Sequence, residues 1–181
     1  YDSALGVWDQ VRETDRTENK ILQGEIGSGV TFPAGHVLQV HFTTVDNNIT
    51  GPSSNGHGNA VVAITAGGFV ARKANSIYNV AFHCKGGSGD QNTSWLAGVE
   101  LQINSGSWTL LSSSSGASDN TIVYSYFTYT DPRQNKFFES VFTPTSAAGD
   151  TMNFRIAVWG SHTGTIRYDG LKMIKIIEIV S

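Results

Sequence analysis

The side chains best suited to chemistry are scattered along this chain rather than grouped in known motifs. The 181 residues include five histidines, and none falls in an HxH or HExxH spacing, so we predict no metal site. Asp46, Asn47 and Asn48, together with Asp90, offer oxygen atoms of the kind that bind calcium, but not in the spacing of a calcium loop. Asn and Asp are also ordinary turn formers, and we favour that interpretation.

Catalytic groups are not predicted either. Glu100, Glu139 and Glu178 fall on separate predicted strands, and no pair stands in the frame of a glycosidase. The chain has no GxSxG sequence and no P-loop. Its single cysteine, Cys84, cannot form an internal disulfide, and we interpret it as a small buried residue in a protein assembled in a reducing cytoplasm. We therefore predict a non-enzymatic protein without a cofactor.

Aromatic residues beside polar loops indicate a different function. Such rings stack on the faces of sugars, while polar groups of the loop bind the hydroxyls. Trp159 ends a predicted strand, and His57 lies in a Gly-rich loop. With Trp95, these are our candidates for glycan contact, and Trp108 is the other tryptophan considered for such stacking. The alternative is that the tryptophans belong to the core or to a subunit interface.

Strands are the elements predicted to position these residues. After a Pro-Ala-Gly turn, Leu38, Val40 and Phe42 share one face of a strand, and polar residues share the other. Similar patterns, with β-branched and aromatic residues, predict eleven strands. They are His36–Thr44, Ala60–Ile64, Gly68–Lys73, Ile77–Cys84, Trp95–Asn104, Trp108–Leu111, Thr121–Tyr129, Lys136–Thr143, Thr151–Trp159, Gly164–Tyr168 and Leu171–Val180. Polar loops at 46–59, 85–94 and 112–120 separate them. This pattern predicts an all-β, antiparallel β-sandwich or jelly roll.

Residues 1–25 differ from the rest of the chain in charge. They hold nine charged side chains and show no sustained helical stripe. We interpret them as an N-terminal arm or linker that packs on a neighbour, with a frayed terminus as the alternative, and residues 26–181 as the β domain. The net charge of −3 and the lack of a basic block argue against nucleic acid as a partner. The sequence contains no run of about 18 apolar residues, so no membrane span is predicted.

Two short motifs resemble sequences in virion structural proteins of tailed phages, in particular phages of marine bacteria. The first is FPAGHVLQV, which ends at Val40, and the second is IKIIEI, at Ile174–Ile179. The C-terminal domain of those proteins looks like a TNF/C1q-type jelly roll. The resemblance covers about residues 26–181. It implies a capsid decoration (cement) protein or a fibre head, which assembles as a homotrimer in the virion and contacts capsid or tail proteins through its arm. A fibre head would also bind a host surface glycan.

The resemblance also implies that an aromatic sheet face packs around a three-fold axis. The candidates for this trimer interface are Tyr124, Tyr126, Tyr129, Phe137 and Phe138. Phe127, Ile174 and Ile176 are expected in the core instead. A carbohydrate-binding module or lectin-like β-sandwich is the alternative function. It would share the sandwich, the aromatic residues and the polar loops, but it would not need a charged arm.

Overall fold

The structure is a computed structural model that describes residues 33–51, 57–88, 93–111, 123–127, 134–160 and 166–181. Ala34–Ser181 forms one compact unit. The predicted arm, residues 1–25, lies outside the described residues, so the proposed boundary at residue 26 stays a prediction. No helix among the described residues is long and apolar enough to cross a membrane.

The described residues form ten strands and one short 3-10 turn. In chain order they are β1 (Val37–Asp46), β2 (Ile49–Thr50), the turn His57–Asn59, β3 (Val61–Val70), β4 (Ile77–Ser88), β5 (Thr93–Ile103), β6 (Thr109–Leu110), β7 (Val123–Phe127), β8 (Gln134–Phe142), β9 (Thr151–Gly160) and β10 (Ile166–Ile179). The recorded strand pairs are antiparallel.

Strand order identifies the fold as a jelly roll. The first sheet has the order β1-β10-β4-β8, and β2 continues β1 along the same edge of β10. The second sheet has the order β3-β9-β5-β6, and β7 shares with β6 the edge of β5 opposite β9. The chain thus passes repeatedly from one sheet to the other, and each sheet is four strand positions wide. This is the connectivity of a jelly roll, which consists of two Greek keys. The predicted all-β sandwich is confirmed.

Two pairs of predicted strands are single strands in the structure. Residues 60–64 and 68–73 are predicted as separate strands, but β3 spans Val61–Val70, with register shifts between Val62 and Ile64 and between Ala66 and Phe69, and residues 71–73 lie beyond its end. β10 likewise continues across an irregularity between Asp169 and Met173. The predicted loop at 85–94 is also shorter than expected, because β4 extends to Ser88 and β5 begins at Thr93. Bulges absorb residues that the sequence pattern assigns to turns.

The core lies between the inner faces of the two sheets. Its largest fully buried apolar side chains include Tyr78, Phe82, Phe154 and Ile174. Each such side chain contributes about 1.5–3 kcal/mol by leaving water. Ile176 is also buried, so both isoleucines expected in the core are there. Cys84 is fully buried on β4, as predicted.

Glu178 is fully buried and links the two motifs of the sequence. Its carboxylate accepts hydrogen bonds from the backbone N–H groups of Arg72 (2.9 Å) and Lys73 (3.2 Å) and from the Ser76 hydroxyl (2.8 Å). The side-chain amide of Gln39 donates to the same carboxylate. Charge-assisted hydrogen bonds of this kind stabilise a buried carboxylate. Glu178 therefore fastens β1 and the β3–β4 turn to β10.

Turn chemistry explains two tight bends. Asn104 and Ser105 both have positive φ (49° and 63°), and the Gly106 N–H donates to the Ile103 carbonyl at 2.9 Å. This is the geometry of a type I′ hairpin turn, and it lies between the predicted strands Trp95–Asn104 and Trp108–Leu111. Gly35, in the Pro-Ala-Gly turn before β1, has φ of +83°, a value that favours glycine.

Candidate functional sites on two sheet faces

The outer face of the first sheet carries a group of exposed apolar side chains. On β10, Lys172, Ile174, Ile176 and Glu178 point inward and are buried, so the residues between them point outward. The strand register then places the outward residues of β1, β4 and β8 on the same surface. We call its five most exposed large side chains the apolar face: Val40, Phe42, Phe137, Val141 and Leu171, each between 56% and 62% exposed.

Polar groups also lie on this surface. Lys175 stands beside Phe42 in the register, and Ala81 separates it from Glu139 on β8. The Asn79 side-chain amide donates to the Glu139 carboxylate at 2.6 Å. One row across the strands therefore carries an exposed apolar side chain, Phe42, together with one group of each charge.

The outer face of the second sheet is built differently. Arg155 on β9 and Glu100 on β5 are register partners, and they form two hydrogen bonds, Nε–Oε2 at 2.6 Å and Nη2–Oε1 at 3.2 Å. The guanidinium carbon lies 4.1 Å from the centroid of the Trp108 ring. His57 Nε2 lies 3.3 Å from Glu100 Oε1, and the His57 ring meets Trp159 edge-on at 5.2 Å. We call these five residues the Glu100 cluster.

Small residues lie within this cluster. Gly98 and Ala157 are register partners, one step along the face from the Glu100–Arg155 pair. The next pair on this face is Leu96 with Trp159. His57 contacts Trp159 on one side of the two small residues and Glu100 on the other, so it lies over them. Ala157 and Trp159 are both fully buried in a small second apolar cluster.

Of the five trimer-interface candidates, only Phe137 is an exposed side chain of the described residues. It belongs to the apolar face. Phe138 is 7% exposed and packs in the core with its ring centroid 5.1 Å from that of Phe82, so it does not offer a subunit contact. Tyr124 and Tyr126 lie on β7, where the structure describes the backbone alone, and Tyr129 lies outside the described residues. The trimer itself stays a prediction.

The three glycan-contact candidates also separate. Trp159 is fully buried, so its ring offers no face to a sugar, and the prediction of direct stacking there does not hold. Its neighbour on the sheet, His57, is half-buried and belongs to the Glu100 cluster. Trp95 lies on β5, where its backbone pairs with Gly160 and Ser125. Sequence reasoning missed Arg155, because the pairing with Glu100 spans 55 residues and depends on the register.

The two asparagines considered above for calcium accept hydrogen bonds from protein donors instead. The Lys172 ammonium donates to the Asn47 carbonyl, to Asn47 Oδ1 (2.9 Å) and to the Gly170 carbonyl (3.1 Å). Asn48 Oδ1 accepts the Gly170 N–H at 3.0 Å. Burial lowers the pKa of Lys172, and the charges of Cys84, Asp169 and Asp46 act in the opposite direction. Within the described part of the chain, no group of three or more His, Cys, Asp or Glu residues is arranged to hold a metal ion.

Comparisons with known proteins give likenesses of architecture. No protein-family model matches the chain, and no curated protein is significantly similar to it. Among solved structures, the chain is similar to Eiger TNF from S. frugiperda, with 11% identity, 78% of this chain and 92% of that chain covered, and a TM-score of 0.37. The chain is also similar to VP2 of the infectious bursal disease virus subviral particle, with 8% identity. The match covers 86% of this chain and 41% of that chain, and the TM-score is 0.43.

A third similar structure is the CBM22-1 xylan-binding domain of Paenibacillus barcinonensis Xyn10C. Its identity is 10%, 83% of this chain and 99% of that chain are covered, and the TM-score is 0.33. The neighbours thus include TNF-like, viral capsid and carbohydrate-binding domains. Identities and TM-scores this low select no function among them, and the jelly-roll assignment depends on the strand order itself.

Proposed function

We propose that this protein is a non-enzymatic structural component of a virion, a capsid decoration (cement) protein or a fibre head, and that it assembles as a homotrimer through the apolar face. The observation that carries the proposal is that five large apolar side chains, each more than half exposed, gather on one outer sheet surface. Large apolar side chains exposed together on one surface are a mark of an interaction site.

A second copy of the same chain is the partner that this surface fits. Lys175 and Glu139 lie in one row of the surface, on either side of Ala81. Around a three-fold axis, the Lys175 side of one copy can therefore meet the Glu139 side of the next in a head-to-tail contact that buries apolar side chains of both. A ring of three such contacts closes by rotation and leaves no copy of the face exposed.

The assignment to a virion depends on the sequence resemblance, and the fold supports it in one respect. The two motifs that carry the resemblance lie side by side, since Val37, Gln39 and Val40 pair with Ile179, Glu178 and Ile177. Gln39 and Glu178 also bond through their side chains. The motifs thus encode one structural unit rather than two separate ones. Residues 1–25 would hold the trimer on capsid or tail proteins of a particle assembled in the host cytoplasm.

Native mass in solution is the test of assembly. Light scattering on a size-exclusion column, with and without a chelator, is expected to give a trimer that is indifferent to chelation. A monomer at micromolar concentration would contradict the proposal and favour the alternative, a carbohydrate-binding module or lectin-like sandwich.

Particle binding tests the virion role separately. The full chain is expected to bind virions that lack it, and a chain beginning at Gly27 is expected to remain trimeric but bind weakly. Normal binding by the shortened chain would remove the arm from the proposal, and no binding by the full chain would remove the virion role.

A further inference from the structure

The second sheet carries a site that the proposed assembly does not use. In the Glu100 cluster, Trp159 Nε1 is buried and finds no hydrogen-bond acceptor among the described residues. His57 Nε2 is also buried without a hydrogen bond, although it lies 3.3 Å from a Glu100 oxygen. Leaving a buried polar group unpaired costs about 1–3 kcal/mol, so two such groups in contact require an explanation.

Arg155, Trp108 and His57 of the cluster are partly exposed next to these groups. The Arg155 guanidinium lies over the Trp108 ring, and its side chain is 25% exposed. A guanidinium stacked on an aromatic ring forms a planar pair with N–H donors at its edge, and we call the pair of Arg155 and Trp108 the plate. The C–H face of a sugar ring packs on a plate of this kind.

Donors and acceptors of the cluster match hydroxyl groups. A hydroxyl both donates and accepts, so it can give its proton to a Glu100 oxygen and accept from an imidazole or guanidinium N–H. The planar groups continue along the face, because the Asn153 amide donates to Gln102 Oε1 at 3.1 Å. The small pair Gly98 and Ala157 lies under His57, so a movement of that ring would open room above them.

Charge distinguishes between ligand classes. Glu100 already shares its carboxylate with Arg155 and lies beside His57, so the cluster has no surplus of positive charge. A phosphate or a polyanion would meet that carboxylate at close range. A neutral, polyhydroxylated ligand meets no such repulsion.

We propose that the outer face of the second sheet binds a neutral saccharide at Trp108, Arg155, Glu100 and His57. The plate of Arg155 and Trp108 takes the apolar face of a sugar ring, and Glu100 and His57 bond its hydroxyls. The site differs from the stacking on Trp159 considered from the sequence, since Trp159 lies beneath His57 and contributes only its indole N–H. It is independent of the apolar face, which lies on the other sheet.

An array of neutral gluco-, galacto-, manno- and xylo-oligosaccharides, alongside acidic glycans, tests the proposal on the full chain. The wild-type protein is expected to bind at least one neutral glycan. Arg155→Lys keeps the positive charge but removes the planar guanidinium and its paired N–H donors. Trp108→Ala removes the aromatic ring on which the guanidinium stacks. Each should weaken binding about tenfold, which corresponds to about 1.4 kcal/mol. Val70→Ser is the matched control, because Val70 is exposed at the end of β3 and belongs neither to the Glu100 cluster nor to the apolar face, and it should bind as the wild type does.

Three results would overturn the proposal: no neutral glycan bound, acidic glycans alone bound, or unchanged binding by both cluster variants. If either variant fails to fold, tryptophan fluorescence of the wild type decides, because Trp108 and Trp159 line the site. A glycan bound without any change in that fluorescence would place it elsewhere on the protein. Native mass is measured on the same samples, so a failed trimer and a failed glycan site are told apart.

Discussion

The two outer sheet faces of this jelly roll meet water in opposite ways. On the first sheet, large apolar side chains are exposed on the same surface as a lysine and a glutamate that are not paired with each other among the described residues. On the second sheet, the charged residues pair with each other and stack on aromatic rings. A face whose groups are paired internally is stable alone, whereas an exposed apolar face gains free energy by meeting another surface. This difference is the reason for proposing assembly through the first sheet and ligand binding on the second.

The largest effect is expected from a charge placed on the apolar face. Val141→Lys would bring an unpaired ammonium into the proposed interface, so we expect a monomer in place of the trimer expected for the wild type. Light scattering at equal concentrations measures the change. Thr65→Lys is the matched control, since Thr65 is exposed on β3 of the second sheet, and it should leave the native mass unchanged. A trimer in the Val141 variant would remove the apolar face from the interface.

Alkaline pH tests how the buried Cys84 thiol, in the core between the two sheets, contributes to stability. Burial raises the pKa of Cys84 from 9.0 to about 12. Above pH 9 the unfolded thiol loses its proton while the folded thiol keeps it, so the folded state binds more protons and stability falls as pH rises from 9 towards 12. The expected slope is about 1.4 kcal/mol per pH unit.

Urea unfolding at pH 8, 9 and 10 measures this slope. Burial also raises the pKa of Tyr78, from 10.0 to about 12, so tyrosine adds to the loss mainly above pH 10. Cys84→Ala is the control and should flatten the curve between pH 9 and 10. An identical slope in that variant would contradict the assignment to the thiol.

Substitutions on the two faces are expected to differ in their effect on the free energy of unfolding, and Glu100 on the second sheet is expected to have the larger effect. Glu100→Ala leaves Arg155 without its carboxylate, and we expect a loss of about 2 kcal/mol, less than for a fully buried pair because Arg155 is partly exposed. Phe137→Ser, on the apolar face, should change the unfolding free energy of the monomer by about 0.5 kcal/mol or less. Urea unfolding of both variants in the Val141→Lys background keeps assembly out of the measurement. Equal losses in the two would erase the contrast.

The smallest effect is expected at the stacked ring. Trp108→Leu keeps an apolar side chain but removes the ring face under the Arg155 guanidinium. A cation–π contact at a partly exposed site is worth about 0.5–1 kcal/mol, and that is the expected loss in the same unfolding assay. A loss of several kcal/mol would show that Trp108 acts as a core residue.

Sequence patterns predicted the fold well because alternation is a local property. The strands and the Asn104–Ser105 hairpin follow from residue types a few positions apart. The same rule also exposes an inconsistency at Phe137 and Phe138. Neighbours in a strand point to opposite sides, so both could not lie in one interface, and the structure places one outside and one in the core. That error could have been avoided without coordinates.

Other features were beyond the sequence. Nothing local distinguishes Val40 and Phe42, which face outward, from the apolar residues of strands that face the core. Their direction follows from pairing with Ile177 and Lys175 on β10, more than 130 positions away. The buried position of Trp159 is equally non-local, because it depends on the turn that brings His57 over the sheet. Which side of a strand is inside is decided by its partners.

The pairing of β1 with β10 has a consequence for how this domain joins other chains. The Gly35 N–H donates to the Val180 carbonyl at 2.9 Å, so the chain enters the sandwich beside the point where it leaves. Segments attached before Gly35 and after Val180 would therefore join the sandwich at adjacent points. A short linker between these two points, with a new opening cut in the Ser105 turn, should therefore give a circular permutant with the same sandwich. The domain can likewise be spliced into a surface loop of a host protein without stretching either connection.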